Sequence, residues 1–163
     1  ERFSSGQYFI PDLIYSGEIL RGIAQLVEPY IKNSKTQTKK LGKVIIGTVA
    51  GDIHDIGKDL VVFMLDISGF EVYDLGIDVP SDKFVDAVKT NKPNLIGLSA
   101  LLTTTMPRMK EVIESLVEAG VRNSVKVVVG GAPVTEKFAK DIGGDGYAPD
   151  AASAVEKARE LIG

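Results

Sequence analysis

Val44-Ile45-Ile46-Gly47-Thr48-Val49-Ala50-Gly51-Asp52-Ile53-His54-Asp55-Ile56-Gly57-Lys58-Asp59-Leu60 is the stretch whose reading decides the fold of this chain. Its first part is apolar and rich in β-branched residues, as a buried strand is. From Leu60 the apolar residues Val61, Phe63, Met64 and Ile67 recur at the spacing of a helix. Residues 51–59 are therefore a loop at the end of a strand. That loop holds the one histidine among 163 residues, between two aspartates and two glycines.

Downstream the same alternation repeats. With 44–49 as the first strand, further β-rich runs fall at 71–75, 95–99, 126–129 and, more weakly, 146–148. Helical patterns fall at 58–68, 82–89, 106–119, 135–142 and 151–162. The third and fourth strands are continuous apolar runs, as strands covered on both faces should be, and strand–helix alternation implies a parallel sheet wound on both sides. The expected fold class is α/β, a flavodoxin-like (Rossmann-like) five-stranded parallel sheet of order 2-1-3-4-5. Ligands of such sheets sit beyond the carboxyl ends of the strands where the order reverses, here between the first and third. Three loops should line that crevice: residues 51–59, the run Ser99-Ala100-Leu101-Leu102-Thr103-Thr104-Thr105, and Gly130-Gly131-Ala132.

Upstream, Ile10, Leu13, Ile14, Gly17, Leu20, Ala24, Val27 and Ile31 stand three and four apart, the mark of an amphipathic helix. Pro11 suits its first turn. A second apolar line through Ile19, Ile23, Leu26 and Tyr30 predicts that it packs between neighbours. Starting at Glu1 without a methionine, the sequence reads as one that begins inside a helical subdomain. Residues 33–42 are polar, basic and without apolar period, a linker. The expected domains are thus 1–32, a partial helical cap; 33–42, the linker; and 43–163, the α/β domain.

Composition narrows the function. An apolar content of 44% fills one sizeable core. With 19 basic against 22 acidic residues, the net charge of -3 is not the footprint of a protein that neutralises many phosphates, so no nucleic acid is expected as partner. There is no cysteine, which excludes disulfides, thiolate metal sites and cysteine nucleophiles and fits a reducing, cytoplasmic setting. No apolar run approaches the roughly 18 residues of a membrane span, so no membrane is expected either.

The loop chemistry is next. Residues 51–58 hold one residue too many for a phosphate-binding P-loop, and Asp59 replaces its hydroxyl residue. A dinucleotide fingerprint and a serine nucleophile elbow are both absent. Asp52, His54 and Asp55 alone make a weak metal set. In the plainest reading His54 is a surface histidine, Asp52 or Asp55 caps the next helix, and the threonines cap the one near Met106. Yet Asp52, two residues before His54, can accept the Nδ1 proton and leave Nε2 free for a metal. Gly57 would let something large approach the helix start.

Asp52-x-His54-x-x-Gly57, followed by Ser99-x-Leu101 and Gly130-Gly131, resembles the signature of the cobalamin-binding domains of methionine synthase and of the corrinoid proteins of anaerobic methyltransferase systems. The wider words Gly-Asp-Ile-His-Asp-Ile-Gly-Lys, Ser-Ala-Leu-Leu-Thr-Thr-Thr-Met and Gly-Gly-Ala-Pro-Val-Thr look closest to the corrinoid methyl carriers. The resemblance implies cobalamin as cofactor, base-off and His-on, with His54 as the lower ligand of cobalt, Asp52 its orienter and Thr105 the hydroxyl completing a relay. It further implies that Gly51, Ile53, Asp55, Ile56, Gly57 and Leu101 surround the corrin. Ser99 and Thr103 would contact the nucleotide tail, Gly130, Gly131 and Ala132 give it room, and Tyr147 and Ala151 close its far end. Phe3 and Ile10 would lie over the cobalt in a helical cap.

The function so implied is that of a carrier subunit, not a catalyst alone, which bears a methyl group on cobalt between two methyltransferases. Expected partners are a substrate-specific corrinoid methyltransferase, a methyl-accepting methyltransferase, a reductive activase for Co(II), and a second copy of the chain covering the exposed cap helices. The alternatives are a cobalamin-responsive sensor and the small subunit of an adenosylcobalamin mutase.

Overall fold

The computed structural model of this chain describes residues 40–163 and, ahead of them, Tyr15, Ile19, Gly22, Ile23 and Leu26. The chain divides into two units, Glu1–Thr38 and Lys39–Gly163. In the first, the five described positions are helical, and the side chains of Tyr15, Ile19, Ile23 and Leu26 are exposed.

The second unit alternates strand and helix: β1 (Lys43–Thr48), α1 (Ile56–Ile67), β2 (Glu71–Asp74), α2 (Ser81–Asn91), β3 (Leu95–Ser99), α3 (Met106–Glu118), β4 (Lys126–Gly130), α4 (Glu136–Asp141), β5 (Gly146–Ala148) and α5 (Ala151–Ile162). The strands form one parallel sheet in the order β2-β1-β3-β4-β5, the flavodoxin-like arrangement expected from the alternation. Boundaries move by one or two residues. At α1 this matters: the helix begins at Ile56, so Gly57 lies inside its first turn.

The two-residue period of the strands sorts the core onto two faces. Ile45, Ile96, Leu98, Val127 and Val129 point into one cluster with Phe84, Val88, Met109, Val112 and Leu116 of α2 and α3. Val44, Leu95 and Val128 point the other way, against Leu65, Phe70, Val155 and Ala158. Each central strand therefore buries both faces, which is why β1, β3 and β4 read as unbroken apolar runs.

Register then fixes where the loops emerge. Thr48 is level with Ser99, Ser99 with Gly130, and Gly130 with Ala148, so four strands end on one transverse row. The loops leaving β1, β3 and β4 start side by side at the carboxyl edge.

Candidate functional site

Thr48, fully buried at the end of β1, donates its hydroxyl to the carbonyl of His54 at 3.0 Å, so the strand pins the loop that leaves it. The chain reverses at Gly51, and the Asp52 N–H donates back to the Val49 carbonyl at 3.1 Å. This turn carries the Asp52 carboxylate inward, where it is 0% exposed. Its Oδ1 lies 2.7 Å from His54 Nδ1 and accepts the His54 N–H at 3.1 Å. Its Oδ2 accepts the backbone N–H groups of Leu101 at 2.8 Å and Leu102 at 3.2 Å. Thr105 Oγ1 lies 2.7 Å from the same Oδ2 and 2.9 Å from the Leu102 carbonyl. The hydroxyl has one proton, and an ionised carboxylate is the stronger acceptor.

Burial is the largest single influence on the Asp52 carboxyl and raises its pKa. The hydrogen bonds from Thr105, His54 and the Leu101 backbone together outweigh it and hold the group well below the usual carboxylate range. Asp52 is thus an acceptor at neutral pH. Facing it, Nδ1 carries the proton, and the neutral ring keeps its lone pair on Nε2. The His54 side chain is 46% exposed, so that nitrogen is reachable from outside.

The remaining residues singled out in the sequence divide by position. Ile53, Ile56, Gly57 and Leu101 are exposed around His54, and Asp55 stands at the α1 N-terminus with no side-chain cap bond. Ser99 ends β3, and its carbonyl accepts the Val49 N–H at 3.0 Å; Thr103 is exposed in the following loop. Thr105 is the N-cap residue of α3 but makes no cap bond, its hydroxyl being turned to Asp52. A Cβ at Gly131, where φ is 128°, would come within 1.9 Å of the Ala100 carbonyl oxygen, so this glycine permits β4 and β3 to exit in contact; Ala132 beside it is exposed. Tyr147 and Ala151 sit on β5 and at the start of α5, with β3 and β4 between them and β1. Tyr147 lines a cleft of about 390 Å³ together with Pro149 and Lys157. Phe3 and Ile10 lie outside the described residues.

Sequence reading missed several of the loop's supports. Thr48 left a signal, a hydroxyl inside an apolar run. Lys58 is buried at the start of α1, its ammonium 2.7 Å from Asp59 and 2.5 Å from Asp74. Burial pulls its pKa down, but the bonds to Asp59 and Asp74 prevail and raise it. Asp78, which bonds the loop from the β2–α2 turn, left no signal, because 27 residues separate it from Gly51.

Residues 42–156 match the B12 binding domain family. The chain belongs to the B12-binding corrinoid proteins. Over 162 residues it is 48% identical to the trimethylamine corrinoid protein of Methanosarcina barkeri, covering 99% of this chain and 75% of that one. Among solved structures, a cobalamin-binding protein from Desulfitobacterium hafniense superimposes with a TM-score of 0.77 at 42% identity, covering 99% of this chain and 75% of its own. A chain of the methanol:cobalamin methyltransferase complex of Methanosarcina barkeri does so with a TM-score of 0.74 at 35% identity, covering 99% of this chain and 60% of its own.

The described residues of the B12-binding domain suit that cofactor. No three His, Asp or Glu side chains among them converge to hold a metal ion. His54 would offer a metal a single protein bond, which suits a metal held by a cofactor of its own. A Cβ at Gly57 would meet nothing within 4 Å, so the space over the helix start is open. Ile53, Ile56, Leu60, Leu101 and Leu102 expose apolar surface around the imidazole, a patch suited to a flat apolar ring. No helix among the described residues is long and apolar enough to cross a membrane.

Proposed function

We propose that this chain is the methyl carrier of a methyltransferase system, with His54 Nε2 as the lower ligand of cobalamin's cobalt. The observation that carries this reading is the 2.7 Å bond from His54 Nδ1 to a carboxylate that is wholly buried, ionised and tied to a second loop. A hydrogen-bonded carboxylate fixes the tautomer and orientation of a ligating imidazole and raises its basicity. Bound cobalamin supplies a cobalt centre that accepts a methyl group from one enzyme and yields it to another.

The chain's own residues hold and orient. Asp52 keeps the proton on Nδ1. Thr105 and the Leu101 and Leu102 amides hold the Asp52 carboxylate in place. Gly51, Ile53, Asp55, Ile56, Gly57 and Leu101 form the bed for the corrin. Ser99, Thr103, Gly130, Gly131 and Ala132 receive the nucleotide tail, and Tyr147 and Ala151 close its far end. The partial cap expected of residues 1–32, with Phe3 and Ile10, and the linker expected at 33–42 fall almost wholly outside the described residues.

The methyl donor is a methylamine. Relatives named as trimethylamine and dimethylamine corrinoid proteins are 48% and 47% identical to this chain, so identity supports the amine class without choosing a member of it. The partners are then a methylamine:corrinoid methyltransferase, a methyl-accepting methyltransferase and a reductive activase.

Reconstitution with hydroxocobalamin tests the ligand. The wild type gives the spectrum of a histidine-ligated, base-off cofactor, and His54→Ala loses it. A variant spectrum with the lower ligand unchanged would overturn the assignment. Transfer of a methyl group to the reduced holoprotein, assayed with each methylamine and its methyltransferase, tests the donor class.

A further inference from the structure

The proposed function leaves the turn between β2 and α2 without a task, yet it follows the exit of β1 closely. Thr48 N–H donates to the Gly76 carbonyl at 3.0 Å and Val79 N–H to the Thr48 carbonyl at 2.9 Å, and Val49 and Val79 form a parallel bridge. Between them stands Asp78. Its Oδ1 accepts the Gly51 N–H at 2.7 Å, and its own N–H donates to the Asp52 carbonyl at 3.0 Å. The two bonds run in opposite directions, to the peptide groups on either side of the one that joins Gly51 to Asp52, and so hold the Gly51–Asp52 segment at both ends. Asp74, which ends β2 just before this turn, holds Lys58 at 2.5 Å.

Asp78 holds a backbone conformation more often given to glycine, and its side chain makes the bond to Gly51. Its φ is 51°, in the left-handed region where a Cβ is disfavoured and glycine is at ease. Gly51 and Gly76 nearby, at φ 81° and 85°, meet that demand with glycine. An aspartate at position 78 keeps strained backbone in exchange for an acceptor, and strain of this kind persists where the surroundings over-determine it.

We propose that Asp78 is a positioning residue for the cofactor ligand: by holding the Gly51–Asp52 segment at both ends it aims the Asp52 carboxylate at His54 Nδ1 and so sets how firmly His54 ligates. The chain of contacts is Asp78 to the Gly51–Asp52 segment, that segment to the Asp52 carboxylate it carries, and the carboxylate to the imidazole. The proposal rests on the reading of His54 as the ligand.

Two substitutions separate the acceptor from the backbone. Asp78→Gly keeps the left-handed conformation and removes Oδ1; Asp78→Asn keeps both the conformation and an oxygen acceptor. Each is compared with wild type and His54→Ala as full chains reconstituted with hydroxocobalamin, with far-UV circular dichroism as the check on folding. Asp78→Gly is expected to fold and to lower the ratio of histidine-ligated to unligated cofactor about three- to tenfold, the scale of one hydrogen bond. Asp78→Asn should restore it.

A wild-type ratio in Asp78→Gly, or a loss in Asp78→Asn equal to that in Asp78→Gly, overturns the clamp. If His54→Ala leaves the spectrum unchanged, the ligand reading fails instead, and the two failures are distinct. Amide exchange in the cofactor-free wild type supplies a test without any variant. Gly51 N–H has Asp78 as its one acceptor among the described residues, so it should exchange slowly, and fast exchange there also overturns the proposal.

Discussion

Helix starts at the site and helix starts away from it use the same residue types in different ways. α4 and α5 begin conventionally: Thr135 Oγ1 accepts the Phe138 N–H at 3.2 Å, and Asp150 Oδ1 accepts the Ser153 N–H at 2.8 Å. α1 and α3 begin at Asp55 and Thr105, equally good cap residues, and neither caps. Thr105 gives its hydroxyl to Asp52. α1 and α3 follow β1 and β3, the strands between which the sheet reverses its order. A polar side chain that could satisfy its own helix and instead bonds across to another loop marks where tertiary structure has a competing use for it.

The contrast is open to mutation, and Asp52→Ala should have the largest effect. It strands the Leu101 and Leu102 amides and leaves the Thr105 hydroxyl only the Leu102 carbonyl, for a loss of about 3 kcal/mol in urea unfolding. A loss under 1 kcal/mol would show that the network is not integral to the fold. Asp52→Asn sharpens the point by keeping the shape. Its amide oxygen faces the Leu101 and Leu102 donors, so its NH₂ faces Nδ1, the tautomer inverts, and cobalamin affinity falls about 10- to 100-fold with most stability retained.

Glycines divide the same way. Gly131→Ala should cost about 2 kcal/mol or more in thermal unfolding, because its Cβ enters the Ala100 carbonyl and φ is 128°. Gly57→Ala has open space and lies in a helix, so it should stabilise the cofactor-free protein by up to about 1 kcal/mol while weakening cobalamin binding. If Gly57→Ala binds cobalamin as the wild type does, the space over α1 is not used.

The caps themselves give the smallest effects. Thr135→Ala should cost about 1 kcal/mol with cobalamin affinity unchanged. Thr105→Val should act in the reverse sense, weakening the histidine-ligated spectrum more than the fold. Equal losses from both on both measures would erase the distinction between the two kinds of helix start.

The pH dependence follows from the signs. Asp52 is more acidic folded than unfolded, so its contribution to stability is present above the unfolded value of 3.8 and is lost as pH falls through the folded one. Lys58 has its pKa raised, so its contribution is present below 10.5 and is lost only at more alkaline pH. Unfolding followed from pH 6 down to pH 3 should therefore lose stability in the wild type and less in Asp52→Asn.

Much of this was legible beforehand, for local reasons. Apolar β-branched runs and a three-to-four-residue period are written in the order of residues, so the strands and helices could be read without coordinates, and their alternation fitted the flavodoxin-like strand order. The misjudged start of α1 has a local cause too, since Gly57 reads as loop. Asp52 and His54 were legible as a pair because two residues separate them. Thr105 was named by family resemblance, and its physics was ambiguous, because a threonine before a helix reads first as a cap.

By itself, then, the sequence determined the α/β alternation, the parallel sheet and the aspartate–histidine pair, since each depends on residues close in the chain. Only the tertiary structure decided what holds that pair. Leu101, Leu102 and Thr105 reach Asp52 from 49, 50 and 53 residues away, and Asp78 reaches Gly51 from 27. Such bonds exist because parallel register ends β1 and β3 on one row and lays the β2–α2 turn against the exit of β1. No local pattern encodes them.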